Sequence, residues 1–309
     1  MDERTKDLMS LNLELIKKFN GKILKNVNLS NYSWFNLGGP AEYFFKPENK
    51  EQLIDFLKEN KKNGLKITIL GAGSNTLIRD KGVKGVVIKL GSNFTKLKLI
   101  NSDIIEVGAA TLDRKVSNFA KENGLGKLEF LSCIPGSIGG AVIMNSGCYD
   151  NDISKILVSI NVIDLEECRE KEIKKEEIKF FYRGTNLSKE LIITSVKLKG
   201  VKDASENIVK IQNEMIKKKK LSQPSQIKTC GSTFKNLSSE RKAWKLIKDT
   251  GCEELKEGDA SISNKHCNFF VNNGNASATD IEKLINKVKK RVAEKTGVNL
   301  ELEIKIIGE

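Results

Sequence analysis

The chain has 309 residues, enough for two domains, and 39% of them are hydrophobic, enough for packed cores. Its 53 lysines and arginines outnumber 40 acidic residues, a net +13, but they are spread along the chain with one dense run at Lys217–Lys220, and aromatics make up only 6%. That spread reads as solvated lysine faces on helices and disfavours a nucleic-acid surface or a non-enzymatic basic binding protein.

The opening Met-Asp-Glu-Arg-Thr-Lys-Asp has no apolar leader, and no window is long and apolar enough to span a bilayer. A soluble, cytoplasmic protein that does not bind membranes is expected. The cysteines, Cys133, Cys148, Cys168, Cys230, Cys252 and Cys267, form no C-x-x-C pair and no framework, which predicts free thiols in a reducing compartment. With His266 as the only histidine, a multi-histidine metal site is excluded.

Leu8, Leu11, Leu15 and Ile16 at helical spacing predict an opening helix over 5–18. An aromatic, turn-rich segment over 32–41 precedes a strand over 42–46. Pro47 leads into a helix over 50–62, whose Leu53, Phe56 and Leu57 share a face and which Gly64 closes. A short strand over 66–70 runs into Gly71-Ala-Gly-Ser-Asn-Thr-Leu77. A dinucleotide fingerprint needs glycine where Thr76 stands, and the strand over 86–90 follows too soon for a crossover helix, so a Rossmann unit is rejected. A phosphate-binding turn remains, with Ser74 and Asn75 as side-chain donors.

A strand over 104–108 and a helix capped by Thr111, bearing Leu112, Val116 and Phe119 and closed by Gly124, lead to an uncharged run from Phe130 to Tyr149. In a chain that is 30% charged, a gap this long points to burial. Pro135, Gly136, Gly139, Gly140 and Gly147 rule out a membrane helix and open the main chain to a ligand. On these residues alone, a packed turn and a cradle for a phosphate-bearing ligand are evenly matched. The upstream glycine turn favours the cradle.

A strand over 156–165, a charged turn or edge over 171–178, the sequence Phe180-Phe-Tyr-Arg183 and a strand over 191–198 come next. Residues 202–220 read as an amphipathic helix ending in the lysine run, and the linker near 221–228 marks the domain boundary. Beyond it lie the donor-rich turn Thr229-Cys-Gly-Ser-Thr-Phe-Lys-Asn236, a helix over 240–248 closed by Gly251, and a strand over 267–271. A helix opened by a Thr279–Glu282 capping box ends at Gly297, and a period-two strand over 300–307 follows.

Four stretches in order resemble the UDP-N-acetylenolpyruvoylglucosamine reductases. They are Ile69-Leu-Gly-Ala-Gly-Ser-Asn75, Ile134-Pro-Gly-Ser-Ile-Gly-Gly-Ala-Val-Ile-Met-Asn145 with the following Ser-Gly147, Phe181-Tyr-Arg183, and Cys230-Gly-Ser-Thr-Phe-Lys-Asn236. His266-Cys-Asn-Phe-Phe-Val-Asn272 and Leu302-Glu-Ile-Lys-Ile-Ile-Gly308 extend the resemblance, which runs from Tyr32 to Gly308. It implies an α+β protein with an FAD-binding domain of the vanillyl-alcohol-oxidase (PCMH) type over 1–203 and an α+β substrate-binding domain over 204–309. The implied reaction is NADPH-dependent reduction of UDP-N-acetylglucosamine enolpyruvate to UDP-N-acetylmuramate in peptidoglycan synthesis. The chain resembles the shorter subgroup, which lacks a tyrosine-bearing insertion, and a monomer is expected. An FAD-dependent oxidase of another small substrate is the alternative.

By the same resemblance, two segments would hold FAD. One is Leu70, Gly71, Ala72, Gly73, Ser74, Asn75, Thr76 and Leu77; the other is Ile134, Pro135, Gly136, Ser137, Gly139, Gly140, Ala141 and Asn145. The flavin half has no histidine, so a His-linked flavin is excluded and non-covalent binding is expected. Ser232 would be the proton donor, Arg183 would pair with the substrate carboxylate and enolate, and Glu303 would orient or polarise that carboxylate. Without the resemblance these residues read as a turn serine, a surface ion-pair arginine and a solvent-facing strand carboxylate, with Glu301 as the register alternative to Glu303. Tyr182, Lys235 and Asn236 would contact substrate, and His266 reads as structural. Three departures bear on fine contacts: Cys133 where the family has glycine, Asn36 where it has a basic residue, and Leu237 where it has proline.

Overall fold

The computed structural model describes residues 18, 19 and 21–309, and all but the end of the expected opening helix lies outside them. The chain divides into two compact units, neither of them one stretch of sequence. The first takes the described residues up to 26 with 42–72 and 85–215, and the second takes 27–41, 73–84 and 216–309.

In the first unit, the helix Lys50–Asn63 is set by its ends. The Asn49 side chain accepts from the Gln52 N–H at 2.8 Å, and Gly64 closes the last turn at φ 65°. Leu53, Phe56 and Leu57 lie on one face, at most 1% exposed, and share a core with Phe19, Phe45, Val86 and Ile88. The Phe45 ring stacks on Phe56 at 4.3 Å. This core backs a four-stranded sheet in the order Ile23–Asn28, Pro40–Phe45, Val83–Ile88, Ile67–Ile69, whose strand ends carry the chain into the second unit and back.

A five-stranded antiparallel sheet follows in the order Glu170–Lys174, Leu157–Asp164, Leu191–Lys199, Ile104–Gly108, Leu97–Leu99. The stretch expected as a charged turn or edge is its edge strand, and charged side chains there discourage pairing with another chain. One face of the sheet packs Val107, Ile160 and Val196 against Val116 of the helix Asp113–Glu122 and Val142 of the helix Ile138–Ile143.

Two expectations are corrected here. Thr111 does not cap the helix: Leu112 holds the N-cap position, and the buried Thr111 hydroxyl has no partner among the described residues. The uncharged run is not all loop, since Ile138–Ile143 is helical despite two glycines. Tertiary packing overrides their poor propensity, with Ile138 and Val142 fully buried.

The second unit is organised on the helix Ala278–Thr296, whose Ile281, Leu284, Ile285, Val288 and Val292 are at most 2% exposed and pack with Phe234, Phe270 and Ile304. Its capping box is Ser277 with Asp280, not Thr279 with Glu282. Thr279 instead gives its hydroxyl and its N–H to Asp80, which also accepts from the Ala278 N–H at 2.8 Å. Glu282 forms a two-pronged pair with Arg79, at 2.8 and 3.0 Å.

Burial pushes the Asp80 carboxyl up, but the hydrogen bonds from Thr279 and Ala278 outweigh it and hold the pKa below the usual range. A lowered folded pKa gives stability that is present above the unfolded value and lost as pH falls through the folded one. Asp80→Ala is therefore expected to cost about 1 kcal/mol at pH 7, read from the urea midpoint, and the difference from wild type should shrink in acid.

The C-terminal strand is split rather than continuous. Leu302 bridges Phe234, and then Lys305–Ile307 pairs in parallel with Thr76–Ile78. The expected period of two holds only in part: Leu300 and Ile304 are 2% exposed and Glu301 and Lys305 face solvent, but Leu302 and Glu303 are both half-buried.

Candidate active site

In the first unit the two glycine segments meet at Ser137. A Cβ built on Gly71 would lie 3.1 Å from the Ser137 hydroxyl, and one built on Gly140 3.7 Å from it. Ser137 is buried, whereas Gly71, Pro135 and Gly140 are exposed, so bare main chain surrounds the hydroxyl. Residues 109–113 hold the segment from behind: the Ile138 N–H donates to Thr111 O at 2.9 Å, the Gly139 N–H to Ala109 O at 2.9 Å, and the Asp113 N–H to Gly136 O at 3.1 Å. The amides of Ile138 and Gly139 are thus engaged within the protein.

Lys89, missed in the sequence, donates its ammonium to Gly71 O. Burial, with Lys46 nearby, lowers its pKa. The only signal for it was its place at the end of a buried strand. Exposed glycine backbone, a lysine beside it and an uncharged loop together fit a bound dinucleotide pyrophosphate. Asp113 was missed as well. It is fully buried with neither carboxylate oxygen partnered among the described residues, and burial pushes its pKa well above the carboxylate range.

Arg183 is the second residue of a two-residue turn between Phe180–Phe181 and Gly184–Thr185, at φ 58°. The hairpin is pinned on the uncharged run. Arg183 Nη2 donates to Gly147 O at 3.0 Å, Asn145 Nδ2 to Phe181 O at 3.2 Å, and Thr185 Oγ1 to Ile143 O at 3.3 Å. The guanidinium lies 4.9 Å from the ring centre of Tyr182, which is 50% exposed. Asn145 and Tyr149 in the uncharged run, and Asp150 just after it, also have positive φ.

In the second unit, Gly231 at φ 79° turns the chain so that Ser232 enters a bridge with Phe269. The Glu303 N–H donates to Thr233 O at 2.8 Å, which fixes Glu303 beside the Ser232 strand. Asn75 Nδ2 donates to Glu303 O at 3.1 Å, and Asn75 O accepts from the Lys305 N–H at 2.9 Å. Ser74 and Asn75 were expected as phosphate donors, yet the Asn75 amide already serves Glu303. Thr76 and Leu77 belong to a strand, with Leu77 in the core.

Glu303 is half-buried, whereas Glu301 is exposed and pairs with Lys235 at 3.4 Å. Asn236 accepts from the Ala243 N–H at 3.1 Å, a cap on the helix Ala243–Asp249. Cys230 donates toward Gly73 O and Thr76 O, and burial drives its pKa to about 12, so it stays a thiol. None of the six cysteines is in a disulfide. Leu237, in place of the family's proline, donates its N–H to Arg241 O at 3.1 Å.

His266 packs edge-on to Phe269 at 4.7 Å, and its Nδ1 accepts from the Asn268 N–H at 3.3 Å, which requires that nitrogen unprotonated. Burial pushes its pKa below the usual value. The unfolded chain then binds the proton more readily, so stability is full above about pH 6.5 and falls as pH drops toward the folded value. Urea midpoints at pH 7.5 and 5.5 should differ less in His266→Gln than in wild type. An unchanged difference would contradict this.

The chain is 47% identical to a UDP-N-acetylenolpyruvoylglucosamine reductase of Pelagibacter ubique, over 96% of this chain and all of that one. It belongs to that family. A relative from Rickettsia bellii is 44% identical over 96% of the chain and 97% of its own length. The C-terminal domain profile of UDP-N-acetylenolpyruvoylglucosamine reductase matches residues 223–307, and an FAD binding domain profile matches residues 41–167. The crystal structure of the Thermus caldophilus reductase superposes with a TM-score of 0.80 at 32% identity, over 93% of this chain and 98% of that one. This reductase is therefore an FAD-dependent oxidoreductase of the expected α+β class. No described helix is long and apolar enough to cross a membrane.

Proposed function

We propose that the chain reduces UDP-N-acetylglucosamine enolpyruvate to UDP-N-acetylmuramate with electrons from NADPH, through non-covalently bound FAD, with Arg183, Ser232 and Glu303 as its catalytic groups. The observation that carries the residue assignment is the backbone bond from Glu303 to Thr233, which fixes one candidate beside the strand of another. Residues 1–203 would serve chiefly as the FAD-binding domain and 204–309 as the substrate-binding domain, although 27–41 and 73–84 fold with the second unit and 204–215 with the first.

When bound, FAD supplies the hydride to one carbon of the enolpyruvyl double bond. The chain must then stabilise the enolate charge on the substrate carboxylate and give a proton to the neighbouring carbon. Arg183 suits the first task, because a planar guanidinium meets a carboxylate with two donors and its own turn is fixed by Gly147 and Tyr182. Ser232 gives the proton from a half-buried position. Glu303 orients the carboxylate, and Tyr182 and Lys235 read the rest of the substrate. Asn236 adds its amide nitrogen, since its oxygen caps a helix. The flavin pyrophosphate is held by Gly71, Gly136, Ser137 and the Lys89 charge. The protein acts as a cytoplasmic monomer.

The deciding experiment is NADPH oxidation that depends on UDP-N-acetylglucosamine enolpyruvate, in purified protein that is yellow and releases FAD on denaturation. Oxygen uptake without any demand for the enolpyruvyl substrate would mark an oxidase instead.

A further inference from the structure

We infer that Asn268 is the positioning residue for the proton donor, clamping the strand of Ser232 through its side-chain amide; this rests on the assignment of Ser232 above. Asn268 is 3% exposed and none of its polar atoms is idle. Its backbone O accepts from the Thr233 N–H at 2.8 Å, its Oδ1 accepts from the Phe234 N–H at 3.0 Å, and its Nδ2 donates to Phe234 O at 2.8 Å. Its own N–H is held by His266 Nδ1.

A side chain is needed here because main-chain pairing on this side is reduced to isolated bridges. The Ser232–Phe269 and Lys228–Asn272 bridges are both isolated, and the ladder of the strand Phe270–Asn272 runs with Ala260–Ile262 on its other edge. The Asn268 amide takes the place of an opposite strand, offering an acceptor and a donor to one residue. On the other side of the segment, Glu303 N–H to Thr233 O and Lys235 N–H to Glu301 O complete the grip, and both of those bonds join main chain to main chain. Asn268 is thus the point where a substitution can loosen the Ser232 strand without touching either catalytic carboxylate or hydroxyl. A reacting group displaced by about 1 Å loses roughly 100-fold in rate.

The amide chemistry supplies its own test. Leucine removes both hydrogen bonds, while aspartate keeps the shape and the acceptor but loses the donor until it is protonated. A buried aspartate takes up a proton more readily than a free one, so Asn268→Asp should recover on acidification. The measurement compares two half-reactions of the flavin-loaded enzyme, reduction by NADPH and reoxidation by UDP-N-acetylglucosamine enolpyruvate. It is joined to hydrogen exchange of the Thr233 and Phe234 amides.

In Asn268→Leu and Asn268→Asp, the reoxidation rate relative to reduction should fall on the order of 10- to 100-fold at pH 8, and exchange protection at Thr233 and Phe234 should drop. Lowering the pH should restore both quantities in Asn268→Asp alone. Wild-type protection and an unchanged rate ratio in Asn268→Asp would overturn the proposal, as would an equal fall in both half-reactions without pH rescue. If Ser232→Ala leaves the ratio unchanged, it is the Ser232 assignment that falls, while the exchange measurement still judges the clamp.

Discussion

Ser232→Ala is expected to leave flavin reduction by NADPH intact and to slow reoxidation by the enolpyruvyl substrate by roughly 100- to 10,000-fold, the usual worth of a positioned acid. The reason lies in the order of the chemistry. Reducing the flavin needs no proton on substrate carbon, whereas completing the enolpyruvyl reduction does. Serine is a poor acid in water, so its contribution depends on geometry, and the geometry is set by main-chain bonds that alanine does not disturb. The Gly231 turn, the Phe269 bridge and the Glu303-to-Thr233 bond all survive the substitution. Folding and FAD content should therefore stay at wild-type levels, and stopped-flow traces of the two half-reactions separate the outcomes. Equal loss of both would contradict the role assigned to Ser232.

How much of this was legible in the sequence depended on whether the cause was local. The helix Lys50–Asn63 was readable because Pro47, Gly64 and the Leu53–Phe56–Leu57 face all lie within one stretch. The strand Ile104–Gly108 was readable for the same reason. The parallel pairing of Thr76–Ile78 with Lys305–Ile307 was not: the period of two over 300–307 marks a strand without naming its partner, and Thr76–Ile78 lies far away in sequence and is too short to show a period. The helix Ile138–Ile143 was hidden by its glycines and exists through bonds to Ala109 and Thr111.

Site residues followed the same division. The glycine segments and the Ser232 turn were found from residue type and family pattern. The side-chain duties of Asn75, Asn236 and Asn268 could not be found that way, because an asparagine's two polar ends are equally suited to a ligand, a helix cap or a strand substitute. The positive φ of Arg183 is equally silent in a sequence, since arginine gives no hint of a left-handed turn.

Gly73→Ala should be among the most damaging single-methyl changes in the second unit, alongside Gly82→Ala, whose Cβ would stand 1.9 Å from Pro40 O. Gly73 is buried at φ 69°, a region where an L side chain costs about 1–2 kcal/mol. A Cβ there would stand 1.8 Å from Tyr32 O and 2.9 Å from Tyr32 C, both main-chain atoms that no rotamer change can move. Relief requires shifting residues 32–34, yet Gly73 O accepts the Trp34 N–H at 3.1 Å and the Cys230 thiol also points to it, so the shift breaks further bonds. Conformation and overpacking together come to about 2–5 kcal/mol, or a fall in Tm of roughly 5–15 °C. FAD affinity should fall with it, because Gly73 lies within the proposed flavin turn.

Gly251→Ala is the matched comparison. Its φ of 68° is nearly the same, but nothing lies within 4 Å of the added Cβ, so it carries the conformational term alone. Melting curves of the two variants therefore separate conformation from contact. If Gly73→Ala melts no lower than Gly251→Ala, the close approach to Tyr32 does not hold the turn, and its rigidity must come from the Cys230 and Trp34 bonds instead.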